Sequence, residues 1–176
     1  MKSLLTLLLL IITISLTAQT TFPNKWVGDY DGTMIIGNAG QANATVPVTF
    51  TLEELIADSV YIHRMVFNSE QYGVITKDYQ LVAQTAGDTT HFILDERNGI
   101  TMDQTLMNDC FYGMYTVMGS TYISTLRRLP DDTLLWDLFA AKSDTERVTE
   151  LEGKEPIKVV GLTVGLHQTV YLKKRF

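Results

Sequence analysis

Hydrophobic and polar residues alternate along most of this chain. In the run 26–36, Trp26, Gly28, Tyr30, Gly32 and Met34 share one parity, and Val27, Asp29, Asp31, Thr33 and Ile35 share the other. Period two belongs to a β-strand, whose successive side chains point to opposite faces. One face of this opening strand carries aromatics and glycines, the other acids and a threonine. Glycine suits a strand that must bend sharply or let another backbone come close. Residues 45–55 repeat the pattern, with Val46, Val48, Phe50 and Leu52 on one side and Thr45, Pro47, Thr49 and Thr51 on the other. Pro47 implies an unpaired ladder position or a bulge.

Further strands are predicted over 60–67, 72–84 (in one or two pieces), 91–96, 100–107, 110–118, 121–129, 133–141 and 166–176. Turn residues separate them: Asp58-Ser59, Asn68-Ser69-Glu70, Gly87-Asp88, Asn108-Asp109, Gly119-Ser120 and Pro130-Asp131-Asp132. Asn98-Gly99 is the strongest hairpin signal, because Asn-Gly accepts the positive φ of a type I′ turn. Regularity breaks at 142–156, a charge-rich stretch read as a solvated connection with at most one helical turn; a lid is its functional reading. A strand-like pattern resumes at 156–165 with Ile157, Val159 and Val160. About ten strands in up-and-down order, with no core-forming helix, predict an all-β fold: a single antiparallel barrel of about 8–10 strands.

The first 18 residues stand apart. Met1-Lys2-Ser3 is a short basic start, 4–16 is almost wholly apolar, and Ala18 precedes Gln19. This is the pattern of a secretory signal peptide, and the apolar run is shorter than the roughly 20 residues of a spanning helix. Residues 1–18 are therefore expected to be removed, leaving a barrel domain over 19–176 that is exported to the periplasm or beyond without a membrane anchor. The whole chain has 176 residues, is 45% hydrophobic and carries a formal charge of −6. Removing Lys2 leaves 13 basic against 20 acidic residues, a mature charge of −7. An acidic exported domain is a poor partner for nucleic acid. Cys110 is the only cysteine, so no intrachain disulfide can form, and its apolar setting predicts a buried, inert thiol.

The Trp-x-Gly-x-Tyr-x-Gly run from Trp26 to Gly32 resembles the first strand of calycin barrels: lipocalins, avidin-like proteins, fatty-acid-binding proteins and nitrobindin-like haem barrels. The runs Lys77-Asp78-Tyr79 and Asp95-Glu96-Arg97-Asn98-Gly99-Ile100 resemble uncharacterised secreted lipocalin-like proteins of Gram-negative bacteria. The resemblance implies that Trp26 closes one end of the barrel under a basic residue of the last strand. Lys174 shares the parity of Val170 and Leu172 and is the candidate, with Arg175 second. The departures are a connection at 37–43 too short for the two helices of fatty-acid-binding proteins, and the absence of a lipocalin's Gly-x-Trp order.

No catalytic motif is present: no Gly-x-Ser-x-Gly, no His-Glu-x-x-His and no phosphate-binding glycine loop. His63, His91 and His167 are far apart in sequence, and no metal site is expected from them. Asp29 and Asp31 have a calcium-like look, but strand alternation explains both as one solvent face. The aromatic supply is the positive signal, because an apolar lumen rich in tyrosine suits a ligand with a polar group. Tyr30, Phe50, Arg64, Tyr115 and Trp136 are the expected lining. Arg64 belongs there if Ile62 and Val66, which share its parity, face inward. The leading expectation is a secreted barrel binding a small, mostly apolar molecule, with no catalysis and no cofactor. A filled barrel serving as a structural or protein-interaction module is the second. The third is haem binding through His167, as the last strand's likeness to nitrobindin-like barrels implies; an unbroken strand with Val170 and Leu172 inward turns His167 outward, so this reading requires a bulge.

Overall fold

The computed structural model describes residues 22–23, 25–142, 146–152 and 157–175. Ten strands form one closed antiparallel barrel. In chain order the first nine are β1 (Gly28–Asn38), β2 (Ala44–Ile56), β3 (Val60–Ser69), β4 (Gly73–Ala83), β5 (His91–Asp95), β6 (Thr101–Met107), β7 (Cys110–Val117), β8 (Ser120–Arg128) and β9 (Leu134–Lys142). A separate two-stranded sheet follows, β10 (Arg147–Leu151) with β11 (Ile157–Gly161), and β12 (Val164–Lys174) completes the barrel. Each barrel strand pairs with its sequence neighbour, except that β12 lies between β9 and β1 and joins the two ends of the sheet.

Alternation decides which side chains fill the interior. Tyr30 and Met34 of β1, Val48, Phe50 and Leu52 of β2, and Val170 and Leu172 of β12 are all buried, while Asp29 and Asp31 are exposed. The two acids meet Arg175, whose Nε lies 3.3 Å from Asp31 and whose backbone N–H donates to the Asp29 carbonyl at 2.8 Å. An aromatic cluster plugs the lower end of the barrel. Phe22, ahead of β1, inserts between Trp26, Tyr61, Phe92 and Phe111, with ring centroids 4.9–5.9 Å apart in edge-to-face geometry. Each such aromatic pair contributes about 0.5–1.5 kcal/mol beyond the area it buries.

Trp26 is fully buried in this plug, but the cation expected over it is found elsewhere. Lys174 is the direct cross-strand partner of Tyr30, and its ammonium sits 5.8 Å from the centre of that ring. Trp26 lies in the turn before β1, outside that register. The opening strand accordingly begins at Gly28 rather than at Trp26, and the Tyr30 hydroxyl reaches back to donate to the Trp26 carbonyl at 2.6 Å.

Two other expectations change, and one is settled. The stretch 72–84, expected in one or two pieces, is the single strand Gly73–Ala83. The stretch 142–156 contains strand rather than a helical turn: β10 pairs with β11 from Arg147–Gly161 to Leu151–Ile157, while 143–145 and 153–156 lie outside the described residues. This hairpin is exposed on both faces, so it has no buried side to impose alternation on its sequence. The 96–100 connection is longer than a two-residue turn, with positive φ at Arg97 and Gly99 rather than at Asn98. The Asn98 side chain instead accepts from the Ile100 N–H at 2.9 Å. Pro47 sits one residue beyond the last β2–β3 pair, Val48–Phe67, where its missing N–H leaves no gap in that ladder.

Gly32 makes the seam between first and last strands possible. A Cβ there would stand 2.5 Å from the Tyr171 carbonyl oxygen and 2.6 Å from Val170 Cγ2. Gly32→Ala is therefore expected to lower stability by about 1–3 kcal/mol, the range for overpacking a closed interior. Urea unfolding followed by circular dichroism measures this; an unchanged midpoint would show that the seam has slack.

Candidate ligand-binding site

Above the plug the lumen is hollow. A cavity of about 510 Å³ occupies the upper half, at the strand ends opposite Trp26. Met65, Phe67, Leu94, Met102, Trp136 and Leu138 supply its apolar wall. These residues face inward because each shares the parity of a buried neighbour on its strand, as Met65 and Phe67 do with Tyr61. Polar side chains interrupt that wall: His63, Ser124 and Gln168 within the lumen, Lys77, Tyr79 and Glu96 towards the mouth, and Thr101, Tyr115 and Thr116 besides. A smaller chamber of about 40 Å³ lies below and shares His63, Leu94, Ser124 and Trp136 with it.

The expected lining residues part company here. Tyr115 and Trp136 line the cavity. Tyr30 and Phe50 face inward but stand lower, packed into the core with their rings 6.0 Å apart. Parity distinguishes inside from outside, and height along the barrel is set by strand register, which parity leaves open. Arg64 is corrected outright. Tyr61, His63, Met65 and Phe67 take the inner face of β3, so Arg64 points outward, where its Nε lies 2.9 Å from Asp78 Oδ1. Its pKa is raised by that hydrogen bond and by the charge of Asp78. As a half-exposed pair it contributes at most about 1 kcal/mol.

His167 is also on the outer face. Its Nε2 lies 3.1 Å from Asp137 Oδ1, and its ring stacks on Phe139 at 4.4 Å. The β12 register shift falls between Val164 and Leu166, ahead of His167, so no bulge turns the ring inward. Haem ligation inside the lumen through His167 does not fit this geometry. Among the described residues, no group of three or more His, Cys, Asp or Glu side chains gathers as a metal site would require. Cys110 is fully buried, and burial raises its pKa.

The two runs that carried the family likeness meet at the mouth. The Tyr79 hydroxyl donates to Glu96 Oε1 at 2.8 Å, and the other oxygen of Glu96 accepts from the Asn98 amide at 3.1 Å. Asp78 lies 3.7 Å from Arg97 on the outside. Burial raises the Tyr79 pKa, helped by the bond to Glu96, so the phenol stays protonated and donating at neutral pH.

His63 is one of the lumen residues that sequence alone passed over. Its signal was its parity with Tyr61, Met65 and Phe67. Its ring sits edge-on to Phe50 at 4.9 Å, and its Nδ1 is buried without a hydrogen-bond partner. Part of the side chain faces cavity space, but protein surrounds it, and that enclosure governs its charge. Burial pushes its pKa from 6.5 down to about 4, so the imidazole is neutral at pH 7.

No protein-family description and no curated protein sequence matches this chain. Among solved structures it is similar to the S-type phycobiliprotein lyase CPES from Guillardia theta, with a TM-score of 0.58 and 10% identity over 87% of this chain and 90% of that one. It is also similar to Rv2717c from M. tuberculosis, with a TM-score of 0.43 and 10% identity over 86% of this chain and 94% of that one. The first likeness, with the closed ten-strand ring, defines the fold as a calycin-like β-barrel.

The lowered pKa of His63 makes stability depend on pH with a definite sign. Between 6.5 and about 4 the unfolded chain takes up a proton that the folded one refuses. The contribution of His63 is thus complete above 6.5 and falls with pH, by up to about 1.4 kcal/mol per unit. Urea midpoints at about pH 7 and about pH 5 should differ less in His63→Phe than in the natural chain. An equal loss in both would show that His63 does not carry this dependence.

Proposed function

We propose that this protein is an exported lipocalin-like carrier that holds a small, mostly apolar molecule in the upper half of its barrel by enclosure. The cavity carries this reading. At about 510 Å³ it falls within the usual range of ligand pockets, roughly 300–1,000 Å³, and combines an apolar wall with polar side chains at its floor and mouth. The filled-barrel alternative needs an interior without such space, and side chains fill only the lower half. Likeness to a phycobiliprotein lyase is compatible with a barrel used as a container, but at 10% identity it speaks for the fold and not for a bilin ligand. Tyr115 and Trp136 are the sequence-derived lining residues that this reading keeps.

Export rests on the apolar segment 4–16 and the Ala18–Gln19 junction, which lie outside the described residues. Expression in a Gram-negative host should yield a periplasmic protein whose mass corresponds to a start at Gln19. Recovery of the full-length chain from the cytosol would overturn this part.

Binding is tested with N-phenyl-1-naphthylamine, an uncharged apolar fluorophore. Its emission should rise on titration with the protein, and Trp136 emission should be quenched in parallel. Leu94→Trp, which pushes an indole into both chambers, should weaken binding at least tenfold, about 1.4 kcal/mol, with the β-type circular dichroism retained. Unchanged fluorescence with the natural chain would favour the filled barrel.

A further inference from the structure

The floor of the cavity has a chemistry of its own. His63, Gln104 and Ser124 face the small chamber beneath the main cavity, and no charged residue lines that chamber. Gly113 makes the arrangement possible: a Cβ there would collide with the Gln104 amide and stand 2.9 Å from Ser124 Oγ. The missing side chain lets the Gln104 amide, itself buried, lie beside the Ser124 hydroxyl. His63 lines the same chamber, although its Nδ1 has no free surface and is not the part that faces it. Polar groups left facing an apolar ligand body are costly, and a ligand group that hydrogen-bonds them offsets that cost. The charged residues lining the main cavity are Lys77 and Glu96, and the Glu96 carboxylate is already engaged by Tyr79 and Asn98.

We propose that the lumen takes its ligand head first and selects an uncharged hydrogen-bonding head, such as a hydroxyl, amide or carbonyl, which seats against His63, Gln104 and Ser124. The apolar body then lies beside Met65, Leu94, Trp136 and Leu138. This rests on the lumen being a ligand site. A neutral imidazole, a primary amide and a hydroxyl each offer both donor and acceptor capacity, so they satisfy a neutral head of either polarity. A carboxylate in the same place would be stripped of water with no cation to balance it. With its head kept at the mouth near Lys77, its tail would instead press on the polar floor of Gln104 and Ser124.

The test displaces bound N-phenyl-1-naphthylamine from the natural chain with decanol, decanamide and decanoate at neutral pH. Decanol and decanamide should displace it at concentrations at least tenfold below decanoate. His63→Phe and Gln104→Leu should each shrink that advantage at least fivefold, with every competitor judged against the variant's own affinity for the fluorophore. Decanoate competing as well as or better than decanol, with its binding lost in Lys77→Ala, would overturn the proposal and place the polar anchor at the mouth. An order of preference unchanged in both floor variants would overturn it too. The ranking of the three competitors on the natural chain needs no variant, so misfolding of a variant cannot shelter the idea. Failure of the fluorophore itself to bind would instead remove the underlying reading of the lumen as a site.

Discussion

Closing ten strands into a ring fixes an interior that side chains alone do not fill. Eight strands enclose a space just wide enough for side chains, and the diameter grows with strand number. This protein resolves the excess differently at its two ends. Below, it brings in extra aromatic mass from outside the ring: Phe22 and Trp26 precede the first strand, yet both are buried among Tyr61, Phe92 and Phe111. Above, no such filler arrives, and a hollow of about 510 Å³ remains. Plug and cavity are two outcomes of the same geometric surplus.

Strand alternation made the barrel legible because most strands bury one face only. The polar threonines of β2 and acids of β1 marked the outside without ambiguity. β3 did not yield in the same way. Ile62 and Val66 on its outer face are as apolar as Tyr61 and Met65 within, so hydrophobicity could not say which way Arg64 points, and only pairing with the neighbouring strands decided it. β10, unlike its partner β11, escaped for a related reason: its Val148 and Leu151 are 51% and 67% exposed, and a strand that buries neither face has no alternation to read.

The site was legible only in part. Tyr115 and Trp136 could be assigned to the lumen from residue type, as aromatics on strands. The division between Tyr30, sealed in the core, and Tyr79, at the mouth, depends on how far each strand is staggered against the next. His63, Gln104 and Ser124 come from β3, β6 and β8, which are far apart in sequence and meet only across the lumen. A lone histidine, a glutamine and a serine carry no motif between them. The runs around Lys77 and Asp95 did converge, at the Tyr79–Glu96 hydrogen bond, although the sequence supplied no reason for their meeting.

The seam between β1 and β12 also governs the order in which the protein can be made. Its partners are the earliest and the latest strands of the chain, joined from Tyr30–Lys174 to Asn38–Leu166. Until the last eleven residues of strand have emerged, β1 and β9 both present open edges, and the ring has no inside. Pairings between such distant segments are entropically slow to form. The barrel therefore acquires its interior only once β12 has joined both edges, and a chain that has not yet reached β12 is a sheet rather than a container.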